Sequence, residues 1–206
     1  MNLPNKLSLL RICLVPVMVF FYLATFVPYG KAIALGVFII CALTDMFDGK
    51  IARKRGLVTD LGKMLDPIAD KILTLSVLLL LVVDQTIPAP YGVIASIIIL
   101  GRDFMIDMLR QISGIKGSVI AADKWGKLKT IVYDVAFPLL LLVAFLEQDL
   151  LLEGGAVYVL NIVALALFTI GTVLCVVSGI NYMINNASVF KESKENKEED
   201  LAKDAK

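Results

Sequence analysis

The stretch Asp45–Lys71, DMFDGKIARKRGLVTDLGKMLDPIADK, decides how this chain is read. It stands between two of the most apolar runs of the sequence, yet it carries Asp45, Asp48, Asp66 and Asp70 with basic residues among them. Read as a continuation of the preceding helix, Asp45, Asp48, Gly49 and Ala52 recur at i, i+3, i+4 and i+7 and so share one face. Asp66 and Asp70 form an i, i+4 pair at the start of the next apolar run. Pro67 is placed there in the first turn, where a missing N–H is tolerated.

The surroundings of this stretch are those of a membrane. Of 206 residues 58% are hydrophobic and 19% charged, against roughly one quarter charged in soluble domains, and the mean hydropathy is +0.82. Six apolar segments can be marked, at 8–28, 32–54, 66–87, 91–112, 127–147 and 155–185. Pro28 and Gly30, Pro88 and Pro90, Gly114 and Gly117, and Gly154 and Gly155 punctuate them, so the connections are short. The first run is too long for a cleaved signal and is expected to be retained as a span. Lys6, Arg11, Arg53, Lys54, Arg55, Lys63, Arg110, Lys116, Lys124, Lys127 and Lys129 lie at the N-terminus or near the second and fourth connections. The other side offers Lys31 and the acids Asp84, Glu147, Asp149 and Glu153. By the positive-inside rule this gives six transmembrane helices with both termini cytoplasmic. The expected organisation is one all-α membrane domain over 1–190 and a charged tail over 191–206, KESKENKEEDLAKDAK, too polar to order itself.

Several classes of function are excluded or disfavoured. The chain contains no histidine, which removes any imidazole base, phosphohistidine or His-ligated zinc. Cys13, Cys41 and Cys175 fall singly in apolar runs and read as buried, reduced packing residues rather than a disulfide framework or thiolate site. There is no nucleic-acid footprint. No internal repeat with matched broken helices marks an inverted-repeat transporter, although a cation-coupled transporter is the rival class that also places carboxylates in a membrane.

A carboxylate near mid-membrane costs about 2.5–3.5 kcal/mol on insertion scales, so four of them need a compensating charge. Hard oxygen donors on two adjacent helices suit Mg²⁺ or Mn²⁺, either one ion or two sharing the ligands. The plain alternative is pairing with Arg53, Lys63 and Lys71 at a wet surface. Gly49 beside Asp48 and Gly62 before Asp66 leave room for a ligand's phosphates to approach the backbone, which favours metal plus phosphate.

The pattern Asp45-x₂-Asp48-Gly49-x₂-Ala52-Arg53-x₈-Gly62-x₃-Asp66-x₃-Asp70 resembles, position for position, the signature of the CDP-alcohol phosphotransferase family. Pro4-Asn5-x₂-Ser8-x₂-Arg11, GRDFMIDMLR from Gly101 and WGKLKT from Trp125 extend the resemblance along nearly the whole chain. They are similar to the bacterial branch that makes phosphatidylglycerophosphate. Ser8 stands where threonine is commoner, and Gly101-Arg102-Asp103-Phe104 where Arg-Glu-Phe is usual; both keep the side-chain chemistry.

The resemblance implies a six-helix membrane enzyme of the bacterial cytoplasmic membrane, usually a homodimer, whose polar cavity opens to the cytoplasm. It implies two divalent ions on Asp45, Asp48, Asp66 and Asp70, with Asp70 also taking the proton. CDP-diacylglycerol would meet Asn5, Ser8, Gly49, Arg53 and Thr59. The acceptor, sn-glycerol 3-phosphate, would meet Arg102, Arg110, Lys127 and Lys129. Serine, inositol phosphate and phosphatidylglycerol remain open as other acceptors. For Arg102, near mid-span, pairing with Asp103 or Asp107 is the alternative to binding a substrate phosphate.

Overall fold

In lipid each backbone N–H and C=O must find its partner within the chain, so long runs of Leu, Ile, Val, Ala and Phe can only become helix. The computed structural model describes residues 3–55, 60–115, 124–152 and 154–186. Its helices are α1 Leu3–Leu23, α2 Gly30–Arg55, α3 Asp60–Val83, α4 Ala89–Ile115, α5 Lys124–Ala144 and α6 Gly155–Asn185, and a π-helical turn, Phe145–Asp149, continues α5. Among the described residues there is no strand. Three stretches, Asn5–Leu23, Lys124–Asp149 and Gly155–Asn185, are long and apolar enough to cross a membrane, and the chain is a membrane protein. The helices α2, α3 and α4 carry the charged residues discussed below, which lowers their hydropathy.

Two expectations change. The third helix starts at Asp60 rather than 66, so Pro67 lies inside it and not in its first turn. Its missing N–H leaves the carbonyl of Lys63 without its usual helical donor, at the charged end of α3. Cys41 and Cys175 are buried as expected, but Cys13 is exposed, because it lies on the outer side of α1. The tail 191–206 lies outside the described residues, as does Thr59.

Helix α1 shows how one face is divided. Its buried residues are Asn5, Ser8, Arg11, Val15, Met18 and Tyr22, spaced three or four apart. The stripe is polar at its N-terminal end and apolar beyond Arg11. It packs on α2 and α3, while α5 packs on α6 and α2, and α4 on α6 and α3. The apolar centre joins Met18, Phe38, Val77, Leu81, Leu140 and Phe168. Between membrane helices, association rests on close packing rather than on the hydrophobic effect. Tyr133 and Phe137 stack with centroids 5.2 Å apart, and a Cβ built on Gly171 of α6 would come within 2.6 Å of the Tyr133 ring.

The end of the bundle away from Asp45 is fastened by polar contacts. Tyr22 donates its hydroxyl to Asp84, and the Lys31 ammonium lies 4.8 Å from the Tyr22 ring centre. The Lys31 backbone N–H donates to Asp149 at 2.9 Å. These bonds tie the connections after α1, α3 and α5 together and leave the opposite end to hold the charged cavity.

Candidate active site

The polar half of the α1 stripe meets the acidic stretch. Arg11, only 1% exposed, places Nη1 2.6 Å from Asp45 Oδ1 and 3.4 Å from Asp66 Oδ1. The Ser8 hydroxyl lies 3.5 Å from the same Asp66 oxygen. One buried guanidinium therefore joins the C-terminal part of α2 to the N-terminal part of α3. The signal for it in the sequence was its place three residues after Ser8 and six after Asn5, on their face.

Asp45, Asp66 and Asp70 then line a cavity of about 430 Å³, whose other walls carry Arg102, Asp103 and Arg110 of α4 and Lys127 and Lys129 of α5. That volume lies within the usual range for small-ligand sites. Acidic and cationic side chains from α2, α3, α4 and α5 thus face one space. Asn5 and Ser8 are buried on α1, and Ser8 meets the cavity through Asp66. Asp48, Gly49 and Arg53 belong to α2, but only their helical backbone is described.

The cations of the cavity are not equivalent. Asp103 Oδ1 accepts a hydrogen bond from Arg102 Nη1 at 2.8 Å and another from the Lys129 ammonium. The Arg102 guanidinium also donates to Ser178 of α6. Space for this arginine is made by glycine: a Cβ on Gly179 would lie 3.0 Å from Arg102 Cγ, and one on Gly126 would lie 3.1 Å from Nη2. Arg102 therefore has the acidic partner that the alternative reading foresaw, and it lines the cavity as well. Lys71 pairs, among the described residues, with Asp107 and not with Asp45, Asp66 or Asp70. Among the described residues Arg110 and Lys127 have no carboxylate partner.

A second cavity of about 450 Å³ abuts the first and shares Asp45, Asp70, Asp103 and Lys129 with it. Phe38, Leu43, Leu73, Ile99 and Phe137 give it mostly apolar walls. A molecule with a charged head and hydrocarbon chains has a place for each part on the two sides of Asp70.

The donor chemistry suits a hard cation. Asp45, Asp66 and Asp70 offer only oxygens, Arg11 is the single cation paired directly with them among the described residues, and Asp70 carries no ion pair there. With Arg11 counted, the group has a net charge of −2. Among the described residues, which do not include the Asp48 side chain, no three His, Cys, Asp or Glu side chains stand close enough to hold an ion.

The sequence profile of the CDP-alcohol phosphatidyltransferase family matches residues 1–177. The chain belongs to this family. As a CDP-alcohol phosphatidyltransferase family member it is similar to a Bacillus subtilis protein named CDP-diacylglycerol–glycerol-3-phosphate 3-phosphatidyltransferase, 39% identical over 68% of this chain and 77% of that one. A Rickettsia felis protein of the same name is 33% identical over 88% of this chain and 93% of its own length. A Mycobacterium tuberculosis protein named probable phosphatidylglycerophosphate synthase is 35% identical over 88% of this chain and 80% of its own length. Asp45, Asp66, Asp70, Arg102, Arg110, Lys127 and Lys129 all lie within the residues that the family profile matches.

Proposed function

We propose that this chain transfers the phosphatidyl group of CDP-diacylglycerol to the 1-hydroxyl of sn-glycerol 3-phosphate, forming phosphatidylglycerophosphate and releasing CMP. The observation that carries this reading is a cavity that gathers Asp45, Asp66 and Asp70 with Arg102, Arg110, Lys127 and Lys129 and abuts a mostly apolar slot. The names of the Bacillus and Rickettsia proteins supply the two substrates, and that of the Mycobacterium protein the product.

In this reading the hydroxyl oxygen attacks the lipid-bearing phosphorus, the bond from that phosphorus to the bridging oxygen breaks, and CMP departs with the electron pair. Asp70 accepts the proton of the hydroxyl. Asn5, Ser8, Gly49, Arg53 and Thr59 hold the CDP end, with Arg53 answering the diphosphate charge. The acyl chains lie in the apolar slot lined by Phe38, Leu43, Leu73, Ile99 and Phe137. Asp45, Asp48, Asp66 and Asp70 would hold two divalent ions, Mg²⁺ or Mn²⁺, which supply Lewis acidity and neutralise the diphosphate. Arg11 keeps Asp45 and Asp66 in place and limits the charge that the ions must offset. Arg102, Arg110, Lys127 and Lys129 receive the acceptor's phosphate.

The same proposal places all six helices across a bacterial cytoplasmic membrane, with both termini and the cavity on the cytoplasmic side, and makes the protein a homodimer. The basic residues near the second and fourth connections support that orientation. The test is CMP release by purified protein in detergent with Mg²⁺ or Mn²⁺ and CDP-diacylglycerol, across a panel of acceptors. Release with glycerol 3-phosphate and not with serine, inositol phosphate or phosphatidylglycerol is expected. Absence of release with every acceptor would end the reading.

A further inference from the structure

One cavity residue has chemistry that the reading above does not use. Tyr182, near the end of α6, is 2% exposed and lines the charged cavity. Its ring packs with Ile106 and Leu109 of α4, and the Arg110 guanidinium lies 5.9 Å from the ring centre. That distance is within the range of cation–π attraction, so the ring gives Arg110 a preferred place. The Tyr182 hydroxyl is buried without a hydrogen-bond partner among the described residues. Buried phenols nearly always find a partner, and one that does not calls for an explanation.

The cations beside it sharpen the point. Asp103 already holds Arg102 and Lys129, and Asp107 holds Lys71. Arg110 has only the Tyr182 ring among the described residues. An anion entering the cavity thus meets an uncompensated guanidinium and an unused O–H donor on the same packed pair of helices. A phosphate monoester dianion suits both, since it accepts several hydrogen bonds and Arg binds phosphate through paired N–H groups.

The geometry points to Tyr182 as a residue that selects the acceptor by its phosphate: its O–H donates to a phosphate oxygen held by Arg110. This rests on the proposed transfer to a phosphate-bearing acceptor. It goes beyond it by naming the hydroxyl that separates such acceptors from their dephosphorylated analogues.

The test is Tyr182→Phe in the full chain, which removes the hydroxyl and keeps the ring. A hydrogen bond to a charged group is lost, so the KM for glycerol 3-phosphate rises roughly tenfold. The KM for CDP-diacylglycerol stays as in the wild type. Because the hydroxyl has no hydrogen-bond partner to lose among the described residues, the melting temperature is unchanged or higher. Inorganic phosphate, used as a competitor, inhibits the variant more weakly than the wild type. An unchanged glycerol-3-phosphate KM, or equal rises for both substrates, overturns the assignment, as does a lower melting temperature with unaltered kinetics. Wild-type protein that releases CMP only with another phosphorylated acceptor would refute the choice of glycerol 3-phosphate. The Tyr182→Phe comparison then decides the hydroxyl's role on that acceptor.

Discussion

Asp103 is the residue whose loss the structure prices most directly. Its Oδ1 accepts from both Arg102 and Lys129, whose side chains are 12% and 7% exposed, while Asp103 itself is 25% exposed. Asp103→Asn keeps the shape and leaves two cations facing a neutral amide. Breaking a buried pair by removing one partner costs about 3–5 kcal/mol, and the partial exposure of Asp103 puts this case near the lower end, at about 3 kcal/mol. For a chain of this size that lowers the melting temperature by roughly 6–12 °C. The assay is thermal unfolding in detergent, followed by the fluorescence of the single tryptophan, Trp125. The double variant Asp103→Asn/Lys129→Met removes one of the stranded charges and should recover about 1 kcal/mol of the loss. Melting of Asp103→Asn within about 2 °C of the wild type, or a double variant that loses the full sum of the single effects, would refute the reasoning.

Other predictions follow from neighbouring contacts. Arg11→Gln removes the guanidinium shared by Asp45 and Asp66, so its melting temperature should rise more on adding Mg²⁺ or Mn²⁺ than that of the wild type; equal rises in the two proteins would contradict this. Gly171→Ala drives a methyl group to 2.6 Å from the Tyr133 ring and should cost about 1–3 kcal/mol in unfolding measurements. Gly36→Ala, where a Cβ meets nothing within 4 Å, serves as its neutral control. Asp70→Asn should lower turnover by at least about a hundredfold while CDP-diacylglycerol still binds in a filter or fluorescence assay; near-normal turnover would remove Asp70 from its role as base.

Much of the fold was legible because lipid permits few solutions: six apolar runs punctuated by Pro and Gly became six helices. The start of α3 was misplaced because Pro67 looked like a first-turn residue, whereas the helix begins at Asp60 and carries the proline in its interior. Spacing put Asp45 on one helix face and Asp66 and Asp70 on another, and the structure lines one cavity with all three. Their partners were not legible, because Arg11 and Ser8 are distant in sequence and meet Asp66 only when α1 packs on α3. Arg102 showed the same limit. Its mid-span charge marked it as unusual, but Ser178 and the space at Gly179 come from α6 and needed the tertiary arrangement. Tyr182 gave no signal at all, since one tyrosine near a helix end does not reveal an unpaired hydroxyl.

The central claim is that this cavity joins the acceptor's hydroxyl oxygen to the lipid-bearing phosphorus. The most direct measurement uses glycerol 3-phosphate carrying ¹⁸O in its 1-hydroxyl, with CDP-diacylglycerol, a divalent ion and purified protein, and mass spectrometry of both products. The account predicts the heavy oxygen in phosphatidylglycerophosphate and none in CMP. Heavy oxygen in the nucleotide, or no labelled lipid while the nucleotide substrate is consumed, would contradict it.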